Sequence, residues 1–206
     1  MDNFILEIPN AVPKHLCEEM IKRFENDKRK VPGLVSYGII SDKPFEDPEL
    51  KKSTELFISP HDDWNDIDKS ISECIGKCAR TYLNFINSNF DGWNTKFNPL
   101  QSFLNMDVID HGYEIQKTPK GGKYAWHYDG GIGTDDIANV IIYLNTLDYG
   151  EGGCTKFPHG RKVRPETGKM LIFPTTWTFV HCGEEVKSDK HKYTCIARLI
   201  YKSSSA

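Results

Sequence analysis

The sequence predicts an α+β fold with a mainly β core, in which N-terminal helices pack against a barrel or sandwich of strands. Residues 1–100 contain long stretches of helical periodicity. The rest of the chain alternates short runs of β-branched and aromatic residues with turns rich in Gly, Pro, Asp and Asn. Helices followed by many short strands are typical of helices packed on a β-barrel or sandwich.

Two amphipathic helices are predicted in the first hundred residues. The first spans residues 15–28, and its apolar residues recur at helical spacing. The second runs from about Asp63 to Phe90 and carries one long apolar stripe. A short strand is expected at residues 34–40. The apolar positions of the two helices are Leu16, Met20, Ile21 and Phe24 in the first, and Ile67, Ile71, Cys74, Ile75, Cys78, Tyr82, Phe85 and Ile86 in the second.

A series of short strands is predicted in the second half of the chain. Each is a run of β-branched and aromatic residues bounded by turn formers. The run at residues 137–145 is apolar enough to be a buried strand. The predicted strands are Phe103–Ile109, Gly112–Thr118, Tyr124–Tyr128, Ile137–Leu144, Cys154–Phe157, Met170–Phe173, Thr176–Val180 and Tyr193–Tyr201.

The 206 residues are expected to form a single domain, residues 1–206. Within it, residues 1–100 form a helix-rich support region, residues 101–201 form the β core, and residues 202–206 form a tail. This length can bury a sizeable core without disulfides. We therefore interpret the six cysteines as reduced thiols.

Composition excludes several classes of function. The net charge of −3 gives no basic footprint for nucleic acid or for an acidic membrane. No apolar run approaches the roughly 20 residues of a membrane helix. The N-terminus lacks a basic region followed by an apolar stretch, so no secretory signal is expected. A cytoplasmic protein that binds neither nucleic acid nor membrane is predicted, and the sequence does not indicate its oligomeric state.

The pattern His127-Tyr128-Asp129 is the best candidate for a metal site. Residues two apart in a strand share a face, so His127 and Asp129 can reach one ion. Trp126 and Tyr128 are then expected to point the other way and pack into the barrel wall. A second copy of the pattern, His61-Asp62-Asp63, lies at a polar helix start and is interpreted as solvated.

A third ligand is expected from a distant part of the chain. Two histidines and one carboxylate on one face of an octahedron form the facial triad of non-haem Fe(II) oxygenases. His181 lies 54 residues after His127 and follows the predicted strand 176–180. His159 is the alternative, although it lies at the tip of a Pro-His-Gly turn where imidazoles are commonly solvated.

An ordered set of further motifs resembles a known family. Residues 113–201 resemble the 2-oxoglutarate- and Fe(II)-dependent dioxygenases of the prolyl 4-hydroxylase type. The resemblance implies a double-stranded β-helix, or jelly-roll, buttressed by N-terminal helices, with residues 101–201 as its catalytic core. The matching motifs are Lys120–Tyr124, His127-x-Asp129, Tyr143-Leu144-Asn145, Gly152–Pro158, Pro165–Pro174, His181-x-Gly183 with Val186, and Lys192-Tyr193.

The resemblance implies roles for seven residues. His127, Asp129 and His181 match the iron ligands. Tyr143 matches the tyrosine that hydrogen-bonds the distal carboxylate of 2-oxoglutarate. Lys192 is assigned to pair with that carboxylate, with Lys190 as the alternative. The two other expected contacts in the site are Tyr124, which matches a tyrosine of the family's active site, and Thr194, which shares a strand face with Lys192.

The activity implied is hydroxylation of a substrate C–H bond with release of succinate and CO2. The implied cofactor is Fe(II), with 2-oxoglutarate and O2 as co-substrates and ascorbate as a further expected cofactor. Asp129 favours hydroxylation over halogenation, because halogenating relatives lose this carboxylate. A prolyl residue of a peptide or protein is the first expected substrate, and a free amino acid or small metabolite is the alternative.

Departures from the family pattern leave other interpretations open. Cys154 stands where the family often has Glu. Asp136 and Arg198 replace an arginine and a tryptophan that face the substrate in relatives, and Arg198 is suited to a carboxylate. A non-catalytic jelly-roll binding module and a metal-dependent dioxygenase that uses no ketoacid remain as alternative functions.

Overall fold

The computed structural model describes residues 2–36, 43–89, 108–130 and 136–201. The two α-helices are α1 (Lys14–Asn26) and α2 (Asn65–Ser88). Short 3-10 helices lie at Asp2–Phe4, Asp62–Trp64 and Trp177–Phe179. The strands are β1 (Leu6–Ile8), β2 (Val31–Pro32), β3 (Thr54–Phe57), β4 (Val108–Thr118), β5 (Tyr124–His127), β6 (Asp136–Tyr143), β7 (Thr155–Lys156), β8 (Lys162–Val163), β9 (Met170–Pro174), β10 (His181–Gly183) and β11 (Lys192–Tyr201).

The described strands form two antiparallel sheets. The major sheet has the order β1-β9-β6-β11-β4-β3-β2, and the minor sheet has the order β5-β10-β7-β8. Strands that are neighbours in space are mostly distant in sequence, as they are when the chain crosses repeatedly between two sheets. The fold is mainly β with two supporting helices, and the predicted fold class is confirmed.

The helices pack on one face of the major sheet. Both are amphipathic, and their buried stripes belong to one apolar cluster with residues from β4, β6 and β11. The opposite face of the same strands is therefore left for the cavity described below. The packed residues include Met20 and Phe24 of α1, Ile71 and Ile75 of α2, and Ile115, Val140, Ile142 and Cys195 of the sheet.

Several predicted elements need correction. Both helices are confirmed, although Phe90 lies outside the described residues. Three short strands of the major sheet, β1, β2 and β3, were not predicted in the first hundred residues. Val35 forms only an isolated bridge with Phe45, and residues 37–40 of the strand predicted there lie outside the described residues.

The predicted break between two strands near residue 110 is absent, because β4 is continuous from Val108 to Thr118. Its register against β11 shifts between Ala197 and Leu199, and Gly112 has a φ of 85°. A bulge thus absorbs the irregularity without ending the strand. Residues 103–107 of the strand predicted before it, and the tail 202–206, lie outside the described residues.

The strand predicted at residues 176–180 is wrong. Trp177–Phe179 forms a 3-10 helix, in which the Phe179 amide donates to the Thr176 carbonyl at 2.9 Å. The chain must pass here from β9 of the major sheet to β10 of the minor sheet, and a turn makes that crossing possible. Within the described residues, neither α-helix is long and apolar enough to span a bilayer.

The aromatic residues expected in the barrel wall lie at the surface instead. Trp126 is 52% exposed and Tyr128 is 50% exposed. β5 is an edge strand of the minor sheet, and the described residues do not cover its outward face. The edge of β5 that faces away from β10 forms backbone hydrogen bonds with residues 50–52. The Ala125 amide donates to the Leu50 carbonyl at 2.7 Å, and the Lys52 amide donates to the Lys123 carbonyl at 3.0 Å.

Candidate metal centre

The two histidines of the predicted triad face each other across one rung of the minor sheet. His181, the first residue of β10, is the register partner of His127, the last residue of β5. Asp129 lies two residues beyond the end of β5, so the shared strand face from which the pair was predicted does not extend to it. The chain bends after His127, yet it still brings the carboxylate to the same side as both imidazoles.

The three side chains converge closely enough to share one ion. His127 Nε2 lies 3.6 Å from Asp129 Oδ1, and His181 Nε2 lies 3.4 Å from Asp129 Oδ2. One ligand atom from each residue lies within 4.8 Å of the other two. Ligands bound side by side at about 2.1 Å from a metal lie ~3 Å apart. The donor set and its spacing fit a ferrous ion with one open face.

Backbone contacts orient both imidazoles. His127 Nδ1 lies 2.7 Å from the Ala125 carbonyl oxygen, and His181 Nδ1 lies 3.2 Å from that of Phe179. A carbonyl accepts only, so each Nδ1 carries the proton and each Nε2 presents its lone pair to the metal. Burial lowers the pKa of His127 to about 4 and also lowers the pKa of His181. Both rings are therefore neutral at neutral pH, as metal binding requires.

Asn139 on β6 fixes the carboxylate of the triad. Its side-chain amide donates to Asp129 Oδ2 at 2.8 Å. Asn139 is 2% exposed, and its own Oδ1 has no hydrogen-bond partner among the described residues. A partner that hydrogen-bonds a metal-binding carboxylate restricts its rotation. Asn139 was not among the predicted site residues, although a polar side chain within an apolar run is a signal for one.

The triad opens into a cavity of about 440 Å³ between the two sheets. Lys192, Thr194 and Thr155 line it together with the three ligands. Lys192 is 8% exposed, and among the described residues no carboxylate oxygen lies within 4 Å of its amino group. Burial lowers the pKa of Lys192 to about 8. A buried cation without an anion is costly, so this end of the cavity suits the distal carboxylate of 2-oxoglutarate.

Tyr143 lies behind this end of the cavity. It is fully buried, and its hydroxyl donates to Thr155 Oγ1 at 2.7 Å. The amino group of Lys192 lies 5.6 Å from the centre of the Tyr143 ring. Thr155, which was not among the predicted site residues, thus lies between the tyrosine hydroxyl and the cavity. Thr194 is the register partner of Tyr143 and is 5% exposed.

Tyr124 lies against the metal ligands. Its ring stacks on His127 with 3.6 Å between ring centres and an angle of 16°. The Lys51 amino group lies 4.8 Å from the centre of the Tyr124 ring and pairs with Glu55 at 2.6 Å. Phe173 packs edge-on against His181 at 4.7 Å. Aromatic packing thus restrains each histidine ring.

The alternative residues lie elsewhere. Lys190 is exposed and pairs with Asp148 at 3.0 Å and Glu151 at 3.2 Å. His159 is exposed at its turn. Asp63 of the second His-x-Asp pattern pairs with Arg29 at 2.7 Å. In the part of the chain that the structure describes, His127, Asp129 and His181 form the group whose geometry suits a metal.

Comparison with known proteins agrees with this geometry. Residues 113–197 match the family described as the 2OG-Fe(II) oxygenase superfamily. The matched segment contains all three triad residues, and the resemblance predicted from the motifs is confirmed. A search of curated proteins found no match.

Solved structures with the same fold include prolyl hydroxylases. A viral collagen prolyl hydroxylase from Paramecium Bursaria Chlorella virus-1, in complex with 2OG, is 17% identical, with a TM-score of 0.61 and 97% of each chain covered. A Pseudomonas putida prolyl-4-hydroxylase is 13% identical, with a TM-score of 0.64 and coverage of 97% and 93%. A Trichoplax adhaerens prolyl hydroxylase in complex with a hypoxia inducible factor peptide fragment is 13% identical, with a TM-score of 0.70 and coverage of 96% and 84%. The TM-scores show a shared fold with these proteins.

Proposed function

Starting from the match of residues 113–197 to the 2OG-Fe(II) oxygenase superfamily, we propose that this protein hydroxylates a prolyl residue of a peptide or protein. The overall reaction consumes 2-oxoglutarate, O2 and the substrate C–H, and yields succinate, CO2 and the hydroxylated substrate. The observation that carries the proposal is the buried Lys192, which pairs with no carboxylate of the described residues and lines the same cavity as the His127–Asp129–His181 triad.

Different residues of the cavity would bind the metal and the co-substrate. His127, Asp129 and His181 would hold Fe(II) on one face. When bound, the metal supplies the oxygen chemistry that couples decarboxylation of 2-oxoglutarate to hydroxylation. Lys192 would hold the distal carboxylate through a charge-assisted hydrogen bond. Thr155, whose hydroxyl accepts from Tyr143, has its proton free to donate to the same carboxylate.

The two ends of 2-oxoglutarate are thus assigned to different groups. The ketoacid end would face the open side of the metal, and the distal end would lie between Lys192, Thr155 and Thr194. This arrangement fixes the co-substrate's direction and leaves the remaining side of the metal for substrate and O2. Lys51 and Glu55 also line the cavity, so the first hundred residues contribute to the site as well as supporting it.

The prolyl substrate draws support from the fold shared with prolyl hydroxylases, one of them in complex with a peptide. The exposed aromatic residues Trp126 and Tyr128, which flank the first histidine, suit contact with an extended proline-containing chain. Ascorbate would serve as an auxiliary cofactor during repeated turnover.

One experiment separates this function from a non-catalytic binding module. Fe(II) and 2-oxoglutarate are added to the protein under argon, and the visible charge-transfer band of the chelated metal is recorded. We expect the band in the wild type and its loss in His127→Ala. Air and a panel of proline peptides are then admitted, and succinate is measured. Absence of both the band and metal binding would refute the proposal, and turnover without succinate would indicate an oxygenase that uses no ketoacid.

A further inference from the structure

One carboxylate of the cavity has no part in binding the metal or the co-substrate. Glu114 of β4 lines the cavity beside its register partner Ile196 of β11. The side-chain amide of Gln116 donates to Glu114 Oε1 at 2.5 Å. Among the described residues, no other side chain donates to this carboxylate, and no cation lies within 4 Å of it. Gln116 therefore fixes one oxygen of Glu114 and leaves the other for a ligand.

The other carboxylates of the cavity already have cationic partners. Glu55 contacts the Lys51 amino group at 2.6 Å. Glu184 lies 3.7 Å from the lysine amino group of β7. Asp129 belongs to the metal-binding triad. Among the described residues that line the cavity, Glu114 is thus the carboxylate to which neither the chain nor the metal supplies a cation.

The remaining cations of the cavity do not neutralise Glu114. Lys192 is assigned to the distal carboxylate of 2-oxoglutarate, and Arg198 lies 3.5 Å from Asp136 and more than 4 Å from Glu114. Lys123 is exposed, where water and salt screen its charge. The two charges of bound Fe(II) would be balanced by the triad carboxylate and the ketoacid carboxylate. Loading the metal and the co-substrate therefore leaves the charge of Glu114 uncompensated.

The surroundings of Glu114 are unfavourable for a carboxylate without a cation. Burial and the nearby carboxylate of Glu55 raise the pKa of Glu114. A carboxylate removed from water is costly unless a cation or several donors stabilise it. A cationic group that enters the cavity would stabilise the ionised form and donate a charge-assisted hydrogen bond to the open oxygen. The cavity therefore favours an ammonium or guanidinium group over a neutral analogue.

Apolar side chains line the cavity around this carboxylate. Ile196 lies directly opposite Glu114, and Ile141 lies opposite Ile196 on the next strand. Lysine and arginine side chains combine an aliphatic stem with a charged end, so they suit apolar walls that lead to a carboxylate. Residues 31–35 contribute four more apolar side chains to the lining, Val31, Pro32, Leu34 and Val35.

The position of Glu114 in the sheet sets its distance from the metal. β4 lies two strands from β6, whose Asn139 contacts the metal ligand Asp129. Neighbouring strands are about 4.8 Å apart, so Glu114 lies ~10 Å across the sheet from β6. About three residues of extended peptide cover that distance. A substrate residue held at Glu114 is therefore a near neighbour of the residue held at the metal.

We propose that Glu114 is a specificity-determining residue, which binds the ammonium or guanidinium group of a basic residue within about three positions of the target proline. Gln116 acts as its positioning residue. This inference rests on the proposed function and narrows its substrate from proline peptides in general to basic ones.

The test measures peptide binding to the protein loaded with Fe(II) and 2-oxoglutarate under argon. Each blocked peptide has one central proline and one lysine or arginine, placed in turn at each of the three positions on either side. Its partner peptide has norleucine at that position, which keeps an aliphatic stem and lacks the charge. Calorimetry gives both affinities. We expect a basic residue in at least one position to strengthen binding about tenfold or more over norleucine, as a charge-assisted hydrogen bond does.

A variant then tests whether Glu114 is the partner of the basic residue. Glu114→Gln keeps the shape of the side chain and removes its charge, so basic and norleucine peptides should bind it with similar affinity. Its charge-transfer band should match that of the wild type, because Glu114 is not a metal ligand. The matched control Glu73→Gln, at an exposed position of α2, removes the same charge from the molecule and should keep the preference.

The remaining outcomes separate this inference from the proposed function. A wild type without a preference at any position, or a preference that persists in Glu114→Gln, would overturn the role of Glu114. Air is then admitted and hydroxyproline is measured. A preference for basic peptides without hydroxyproline would support the role of Glu114 and refute the prolyl target. If no charge-transfer band forms, the proposed function fails and the inference fails with it.

Discussion

The side-chain amide of Asn139 donates a 2.8 Å hydrogen bond to Asp129, the only carboxylate of the described metal-binding group. Asn139 lies within β6, a strand buried over most of its length, so the donor is held by a rigid sheet. Asp129 lies beyond the end of β5 and lacks such support from its own strand. The orientation of the third ligand therefore depends on a neighbouring strand of the other sheet.

Replacing Asn139 with Leu should weaken Fe(II) binding by about tenfold or more, because the carboxylate loses the bond that orients it. Anaerobic titration with Fe(II) and 2-oxoglutarate, followed by the charge-transfer band, measures the change. Asn26→Leu, at an exposed position at the end of α1, is the control and should bind metal normally. Equal affinities in Asn139→Leu and wild type would show that Asp129 is held without Asn139.

Lys192→Met should lower the affinity for 2-oxoglutarate by about a hundredfold, because breaking one partner of a buried charge pair leaves the other uncompensated. Fe(II) affinity should stay near the wild-type value, since Lys192 is not a ligand. The matched change Lys190→Met removes an exposed lysine that lies two residues before Lys192 and pairs with Asp148 and Glu151, and it should alter neither affinity. Calorimetry with the metal-loaded protein distinguishes the two variants. Similar losses in both would contradict the assignment.

The affinity for 2-oxoglutarate should depend on pH through Lys192. Burial lowers the pKa of this amine to about 8 in the free protein, so Lys192 is cationic below that pH and increasingly neutral above it. The anion binds the cationic form. Affinity should therefore be level below about pH 8 and fall as pH rises, approaching tenfold per unit.

Lys192→Arg is the control for this pH dependence, because arginine stays protonated over the range. Its affinity for 2-oxoglutarate, whatever its absolute value, should not decline between pH 8 and 9.5. Calorimetric titrations at several pH values give both curves. A flat wild-type curve would mean that Lys192 does not hold the anion.

Lys51→Met should destabilise the fold by ~3–5 kcal/mol, because it leaves the Glu55 carboxylate buried without its cation. The side chains of this pair are 8% and 7% exposed. The double variant Lys51→Met/Glu55→Leu should recover much of the loss, since no charge then remains. Urea unfolding measures the free energies, and Lys14→Met in an exposed pair with Glu18 is the control with little expected effect. A double variant less stable than Lys51→Met would contradict this account.

Much of the architecture follows from local patterns in the sequence. The helical stripe of α2 and the apolar run of β6 are long enough for their periodicity to identify them. The histidine pair was also predictable, because His-x-Asp at a strand end and a distant histidine are the donor set that iron prefers. Their placement on one rung of the minor sheet required the structure.

The features that escaped prediction depend on contacts between distant segments. β1, β2 and β3 have only two to four residues, too few to show a period. The exposure of Trp126 follows from the position of β5 at a sheet edge, which strand composition does not encode. Thr155 lies within the Gly152–Pro158 motif and Asn139 within an apolar run, but both gain their roles from side chains of other strands, Tyr143 and Asp129, which the sequence does not place beside them.

The backbone bonds between residues 50–52 and β5 have a consequence for self-association. The unpaired N–H and C=O groups of an exposed edge strand can form backbone hydrogen bonds with a strand of a second chain, which is a common route to aggregation. Here residues 50–52 hydrogen-bond to part of the β5 edge, beside the exposed aromatic residues Trp126 and Tyr128. The segment that supplies Lys51 to the cavity therefore also covers part of this strand edge against pairing with a second copy of the chain.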